Sequence, residues 1–250
     1  ADPDTAYTQT NAAITHNKKD AEVVLFLARV LHAKGEERQA LATLETMHRC
    51  DNVTAQTMID HVNLVREING SASAKELIAS LSGKFPENIE LMKLLANAQV
   101  ENGDTIEAEE TAKKALQVDP DEPDIHMFLG KLNADSGQLD QAISHLSQGI
   151  THRAANLDGY LLLSRVYEQQ REYAKAIDTL KKAMEVSPLD TRSFIAAANL
   201  YRNSKNYSAA EQILQKAVEI DPQDVSLRRQ LGALLALKLV HHSQEASMNS

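Results

Sequence analysis

Several residue types that support chemistry or covalent cross-links are scarce in this chain. Cys50 is the only cysteine among 250 residues, so an intrachain disulfide or a thiolate metal cluster cannot form. Tryptophan is absent, and aromatic residues make up only 4% of the chain. Nine glycines and six prolines are too few for an all-β protein with many tight turns. These shortages exclude a disulfide-rich scaffold and favour closely packed helices.

Positive charge and long apolar runs are also in short supply. The chain has 35 acidic and 26 basic residues, which gives a formal net charge of −9. Nucleic acids and anionic membrane surfaces require a basic face, so we expect neither as a partner. No apolar run approaches the roughly 20 residues that a membrane-spanning helix needs. We therefore expect no direct membrane insertion by this chain.

The chain instead contains a regular internal repeat. Six alanines stand 34 residues apart: Ala40, Ala74, Ala108, Ala142, Ala176 and Ala210. A second row of small residues follows the same interval with one interruption: Ala28, Ala96, Gly130, Ser164, Ala198 and Gly232. A period of this length held over six copies indicates an array of stacked repeats, which presents surfaces and rarely contains catalytic chemistry.

Each repeat is predicted to be a helical hairpin. In the copy at residues 157–190, apolar residues recur at helical spacing over 157–170 and again over 173–186. Pro188 then ends the second helix, because proline cannot continue it. The rows of small residues allow helix axes to approach to about 8–10 Å. We therefore predict that both rows lie at contacts between helices.

This pattern resembles the tetratricopeptide repeat family. The matching residues in the best copy are Tyr160, Leu163, Ser164, Tyr167, Tyr173, Ala176, Leu180, Ala183 and Pro188. The resemblance implies an all-α fold, an α-solenoid of stacked antiparallel helix hairpins that forms a right-handed superhelix. It also implies that the first helices line a concave groove where partners bind. The tyrosines then belong to the core, and do not form a base-stacking surface.

The period divides the chain into predicted segments. Six full repeats are expected at 21–54, 55–88, 89–122, 123–156, 157–190 and 191–224. Residues 1–20 match the second helix of an incomplete N-terminal repeat, with Ala6 and Ala13 in register. Residues 225–241 match a solitary first helix that either caps the array or begins a further repeat. The polar tail 242–250 is expected to be disordered.

The copy at residues 55–88 departs most from the others. His61 and Val62 replace the usual large-then-small pair, and Leu81 replaces a small residue. Its turn, 68–73, is rich in turn-forming residues. Two interpretations remain open, a loose copy that acts as a hinge or ordinary drift between repeats.

The first helices carry a row of side chains that can donate hydrogen bonds: Arg29, Asn63, Asn97, Lys131, Arg165 and Asn199. A neighbouring row is mainly apolar, with Lys93 as its one interruption: Leu25, Ile59, Lys93, Met127, Leu161 and Ile195. Donors beside apolar contacts suit a bound peptide or helix, whose carbonyls need donors and whose side chains need pockets. The alternative is a solvated face that keeps the array soluble.

Motifs for catalysis and cofactor binding are missing from the sequence. There is no glycine-rich phosphate loop, no His-Glu-x-x-His zinc motif and no Gly-x-Ser-x-Gly nucleophile turn. His241 and His242 are adjacent, so their side chains point apart on a helix and do not make a convergent zinc site. We therefore predict no catalytic residue, no cofactor and no metal site.

The sequence thus favours a non-enzymatic scaffold or adaptor that binds a protein or peptide partner along its groove. One alternative is a self-assembly or subunit-bridging module of a bacterial envelope machine, such as exopolysaccharide export, pilus or cytochrome assembly, with homo-oligomers formed through the array ends. A second alternative is a regulatory repeat region cut from a larger enzyme. Cytoplasm and bacterial periplasm are both compatible with the composition, and we favour the bacterial cell envelope.

Overall fold

A computed structural model describes residues 19–82, 85–153 and 156–248 of the chain. Over these residues the secondary structure consists of thirteen α-helices and one 3-10 helix, without a strand. The chain divides into two compact units, residues 1–120 and residues 121–250. The predicted all-α array of antiparallel helix hairpins is confirmed.

Unit 1 contains three helical hairpins. Its elements are α1 (Ala21–Ala33), α2 (Glu37–Leu44), the 3-10 helix (Glu45–Arg49), α3 (Ala55–Asn69), α4 (Ser71–Ser82), α5 (Ile89–Glu101) and α6 (Thr105–Val118). Each odd-numbered helix packs against the helix that follows it, and successive first helices also touch one another. The second helix of the first hairpin is broken, because α2 gives way to the 3-10 helix at Glu45.

Unit 2 contains three further hairpins and a final helix. Its elements are α7 (Pro123–Asp135), α8 (Leu139–His152), α9 (Leu157–Gln169), α10 (Tyr173–Val186), α11 (Arg192–Asn203), α12 (Tyr207–Ile220) and α13 (Val225–Met248). The first helices α7, α9 and α11 are neighbours, and α13 packs against α12.

The same repeat position caps several first helices. Asp20, Asn88 and Asn156 each accept a hydrogen bond from a backbone N–H of the helix that follows, at 2.9, 2.9 and 3.0 Å. Asp190 does the same for the N–H of Arg192 at 2.9 Å. These side chains satisfy donors that a helix start leaves without a partner. The 34-residue period therefore fixes helix starts as well as contacts.

The turns within the hairpins also repeat. Gly103 and Gly137 have φ values of 86° and 75°, whereas Arg171 and Lys205 adopt 62° and 61° at the equivalent position. This left-handed region is easily reached by glycine and strained for other residues. In the copy at 55–88 the turn is shortened, because only Gly70, with φ of 81°, separates α3 from α4.

Both rows of small residues, with the exception of Gly232, lie at buried helix contacts, as the sequence predicts. Every alanine of the row from Ala40 to Ala210 is fully buried. In the second row, a Cβ added to Gly130 would lie 2.6 Å from Leu146 Cγ and 3.2 Å from the Leu146 backbone nitrogen. Helices α7 and α8 therefore approach so closely that a methyl group does not fit. Gly232, at the same repeat position of α13, has open space around it.

Two details of the sequence analysis differ from the structure. Tyr173 was expected in the core, but its side chain stands at the start of α10 and is 46% exposed. Tyr160, Tyr167, Tyr201 and Tyr207 are half-buried against the apolar clusters, as expected for core positions.

The final helix is also longer than predicted. Helix α13 continues to Met248, beyond residue 241 where the sequence placed its end. Residues 242–248 contain neither glycine nor proline, so nothing in them stops a helix that has already formed. Of residues 1–20, matched to a second helix, residues 1–18 lie outside the described residues.

Candidate partner-binding face

Four of the predicted groove residues line one cleft in unit 2. Leu161 and Arg165 come from α9, and Ile195 and Asn199 come from the neighbouring first helix α11. The cleft has a volume of about 540 Å³. Within each helix the two residues are four apart and so share a face, and the 34-residue period brings equivalent faces side by side. The structure thus brings these four predicted side chains together.

The apolar part of the cleft is continuous with the core. Leu161 and Ile195 are half-buried and pack against buried clusters of α10, α11 and α12. Leu162, Ala196 and Leu200 complete the apolar lining. Because these side chains are held by packing, the cleft is preformed and does not depend on a mobile loop.

A charged pair spans one rim of the cleft. Arg192 Nη1 on α11 lies 2.7 Å from Asp158 Oδ1 on α9, and Arg192 Nη2 lies 2.9 Å from Asp190 Oδ2. Hydrogen bonding to Arg192 lowers the pKa of Asp190, and the two carboxylates raise the pKa of Arg192. Since these groups are largely exposed, the pairs contribute little stability and mainly orient the rim.

Three donors of the predicted row are available for a ligand. Arg165, Asn199 and Lys131 make no hydrogen bond or ion pair with any residue that the structure describes. Lys131 is exposed on α7, one helix away from the cleft. Met127, also on α7, is half-buried and packs over Gly149 and Gly159. The α9–α11 cleft therefore combines free donors with an apolar floor, and Lys131 extends the donor row beyond it.

The equivalent positions of unit 1 are mostly engaged within the chain. Arg29 Nη2 lies 3.2 Å from Asp60 Oδ2, and Asn97 Nδ2 donates to the Lys93 carbonyl at 2.9 Å. Lys93 Nζ lies 3.0 Å from Glu90. Asn63 is half-buried on α3. Arg29, Lys93 and Asn97 are therefore engaged within the chain, whereas Asn63, like Asn199, makes no hydrogen bond among the described residues.

The apolar row also behaves differently in unit 1. Leu25 and Ile59 are only 5% and 8% exposed, so they belong to the core and offer no groove contact. These two members of the apolar row are therefore core residues, whereas Met127, Leu161 and Ile195 are half-buried. Burial is deeper here because their side chains fill the spaces between neighbouring helices.

Sequence reasoning missed the ion pair that crosses the cleft. Asp158 and Arg192 belong to neither the donor row nor the apolar row that the sequence analysis identified. They occupy the same repeat position 34 residues apart and carry opposite charge. Equivalent positions of adjacent repeats are neighbours in a stacked array, so opposite charges at this position could have predicted the ion pair.

Neither a metal site nor a membrane span is found in the part of the chain that the structure describes. Its ranges hold no group of three or more His, Cys, Asp or Glu side chains arranged to bind a metal ion. They also contain no helix with the length and apolar character needed to cross a bilayer.

Comparison with known families decides what kind of array this is. A sequence model described as tetratricopeptide repeat matches residues 72–132, 134–193 and 169–235, together more than half of the chain. The chain belongs to the tetratricopeptide repeat family. Repeats of this family are typically non-catalytic scaffolds for protein interactions, so protein partners are the expected ligands of this tetratricopeptide repeat protein.

Two curated relatives share the repeats over part of their length. The human protein O-mannosyl-transferase TMTC1 is 28% identical over 133 residues, which are 53% of this chain and 15% of that protein. Superkiller protein 3 of Schizosaccharomyces pombe is 25% identical over 136 residues, which are 50% of this chain and 10% of that protein. The chain thus spans only a small part of the relatives it matches.

Solved structures with the same fold include several tetratricopeptide repeat proteins. A crystal structure of MamA has a TM-score of 0.60 and 22% identity, and covers 66% of this chain and 96% of its own. A thermophilic repeat protein of Thermus thermophilus has a TM-score of 0.52 and 22% identity, and the match covers 73% of this chain and 100% of that protein. A chain of the Cut9-Hcn1 crystal structure has a TM-score of 0.60 and 16% identity, and the match covers 94% of this chain and 46% of that chain. At these identities the likeness concerns the fold alone.

Proposed function

We propose that this tetratricopeptide repeat protein is a non-enzymatic scaffold that holds a peptide segment of a protein partner in the α9–α11 cleft. The observation that carries the proposal is the pair of unengaged donors, Arg165 and Asn199, beside the half-buried Leu161 and Ile195. A bound peptide offers backbone carbonyls to such donors and apolar side chains to such a floor.

The charges at the cleft favour a particular partner. Arg192 is already neutralised by Asp158 and Asp190, so its charge is largely satisfied within the chain. Arg165 has no such counter-ion among the described residues. Glu168 also lines the cleft one turn from Arg165, so a segment with a neutral backbone carbonyl near Arg165 and a leucine-sized side chain over Ile195 fits this pattern. Lys131, exposed one helix away, extends the same preference for acceptors along the face.

The remaining predicted groove residues enter the proposal in a secondary role. Arg29, Lys93 and Asn97 already hold partners within the chain, so they offer a bound segment fewer free donors than Arg165 does. Asn63 and Met127 are half-buried and would supply small contacts at the edge of a longer bound segment. We therefore assign the main share of affinity to unit 2.

Paired variants test this assignment. The double substitution Arg165→Ala/Asn199→Ala removes both donors of the cleft, and Arg202→Ala/Asn203→Ala removes the same two residue types from exposed positions at the end of α11. The chain is used as bait in a quantitative pull-down from cell extract. We expect partner recovery to fall about tenfold for the first pair only, since an unsatisfied carbonyl costs roughly 1–3 kcal/mol.

Folding is monitored in parallel. Circular dichroism of both double variants should show unchanged helicity and thermal midpoints, because Arg165, Arg202 and Asn203 are exposed and the half-buried Asn199 makes no hydrogen bond among the described residues. If the cleft variant captures its partners as well as the control variant does, the binding surface lies elsewhere on the array.

We also propose self-assembly as a second function, on the basis of α13. Its surface exposes Leu237, Leu239 and Val240 at 41%, 72% and 53%. Several large apolar side chains exposed on one helix are typical of an interaction surface. Sedimentation equilibrium should detect oligomers that Leu239→Glu dissociates, and a monomer at all concentrations would refute this function. The interpretation as a regulatory region of a larger enzyme stays a prediction.

A further inference from the structure

A second cleft lies in unit 1, away from the first helices' donor row. It runs between α2 with its 3-10 extension and α4, and α3 forms its floor. Its volume is about 540 Å³, within the range of roughly 300–1,000 Å³ that small-molecule sites occupy. Apolar side chains dominate the lining, among them Leu44, Met58, Val65 and Leu77.

Two buried side-chain nitrogens of the described residues lack a hydrogen-bond partner, His32 Nδ1 and His61 Nδ1, and His61 is the one that lines this cleft. His61 is only 7% exposed, and its Nδ1 atom is buried without a hydrogen bond to any described residue. Burial lowers the pKa of His61 to about 4, so the ring is neutral at pH 7. A neutral imidazole nitrogen either donates or accepts one hydrogen bond, according to its tautomer. An unsatisfied buried group of this kind is uncommon and needs an explanation.

The other repeats show that the fold does not require a histidine at position 61. At the position of His61 the other copies carry apolar residues: Leu27, Leu95, Leu129, Leu163 and Ala197. The fold therefore needs only an apolar side chain here. A buried histidine without a partner lowers stability, and a ligand that completes its hydrogen bond offsets that loss.

The charge around the cleft restricts the ligand. Glu45 stands at the rim, and none of the described residues that line the cleft is a lysine or an arginine. A carboxylate or phosphate head would meet Glu45 without a cation to stabilise it. The exposed residues His48, Asn69 and Ser80 also line the cleft, so an uncharged hydrogen-bonding group finds polar neighbours at the mouth.

We infer that this cleft binds a neutral, mainly apolar small molecule that carries one hydrogen-bonding group, and that this group pairs with the imidazole ring of His61. The shortened turn at Gly70 and the 3-10 break after α2 belong to the same two hairpins that form the cleft. On this inference, the copy at residues 55–88 departs from the repeat pattern because it forms the ligand-binding cleft. The inference does not rest on the proposed partner-binding function, since the two clefts lie in different units.

The test uses N-phenyl-1-naphthylamine, an uncharged fluorescent probe with one N–H group, and the full chain. We expect a saturable rise in fluorescence that fits one site. Octanol should displace the probe, and octanoate at the same concentration should not. Replacement of His61 by leucine should weaken probe binding about 2–10-fold, which corresponds to the loss of one hydrogen bond.

Two tryptophan variants distinguish probe binding in the cleft from probe binding to other apolar surfaces of the chain. Ser80→Trp places an indole at the mouth, and Ala79→Trp places it on the same helix at an exposed position that does not line the cleft. Probe binding should be lost in the first variant and kept in the second, with thermal midpoints confirming that both fold. Binding that does not saturate, survives Ser80→Trp, or is unchanged by His61→Leu would overturn the inference.

Discussion

The same substitution at two equivalent positions should have opposite effects on stability. Gly130 in α7 and Gly232 in α13 occupy the same position of the repeat, three full periods apart. A Cβ at Gly130 would lie 2.6 Å from Leu146 Cγ and 2.7 Å from Leu146 Cδ2, whereas a Cβ at Gly232 meets nothing within 4 Å. The two sites therefore differ in tertiary contact and not in local conformation.

The magnitudes follow from two competing effects. Alanine is favoured over glycine inside a helix by about 0.5–1 kcal/mol at either site. At Gly130 the methyl group also collides with Leu146, including its backbone nitrogen at 3.2 Å, and overpacking typically costs about 1–3 kcal/mol. We expect Gly130→Ala to lower the free energy of unfolding by about 1 kcal/mol. Gly232→Ala should leave it unchanged or raise it.

Denaturation with urea, followed by circular dichroism at 222 nm, measures both variants against the parent chain. The difference between the two variants isolates the overpacking effect, because the helix preference cancels. In thermal scans, 1 kcal/mol corresponds to about 2–4 °C for a chain of this size. Equal effects at both sites, or a stabilised Gly130→Ala chain, would refute the close contact between α7 and α8.

Three further predictions concern the helix contacts, the turns and the buried histidine. Ala142→Leu should lower stability by about 1–3 kcal/mol, since Ala142 is fully buried, and an unchanged thermal midpoint would contradict the contact. Gly137→Ala should cost about 1 kcal/mol in urea denaturation, because φ is 75° and no neighbour crowds the site. The folded pKa of His61, about 4, is below its unfolded value of 6.5, so the unfolded state takes up the proton first as pH falls. The parent chain should therefore lose up to about 3 kcal/mol between pH 6.5 and 4 relative to His61→Leu, and parallel stability curves for the two chains would contradict the burial of the ring.

The periodic features could be predicted from the sequence because they are local or involve adjacent repeats. Alanine at every 34th residue predicted a fully buried contact row, and all six members are buried. Pro188 predicted the end of α10, which the structure places at Val186. A side chain's position on a helix face follows from spacing alone, so these features needed no knowledge of distant contacts.

The candidate sites were only partly predictable. The sequence placed Arg29 and Arg165 in one donor row, yet Arg29 pairs with Asp60 and Arg165 remains unpaired. It also marked the 55–88 copy as irregular without indicating a cleft or an unsatisfied nitrogen at His61. Long side chains reach partners on neighbouring helices, and that reach depends on the approach of the helices and on every side chain between them.

The sequence by itself therefore determined the hairpin array, the register of its repeats and the face that each first helix presents. Only the tertiary structure decided which donors on that face are free, which apolar residues stay accessible, and where two hairpins leave a cavity. The physical reason is that helix periodicity is set by the backbone geometry of each residue. Pairing and cavities depend on the packed positions of side chains from several helices at once.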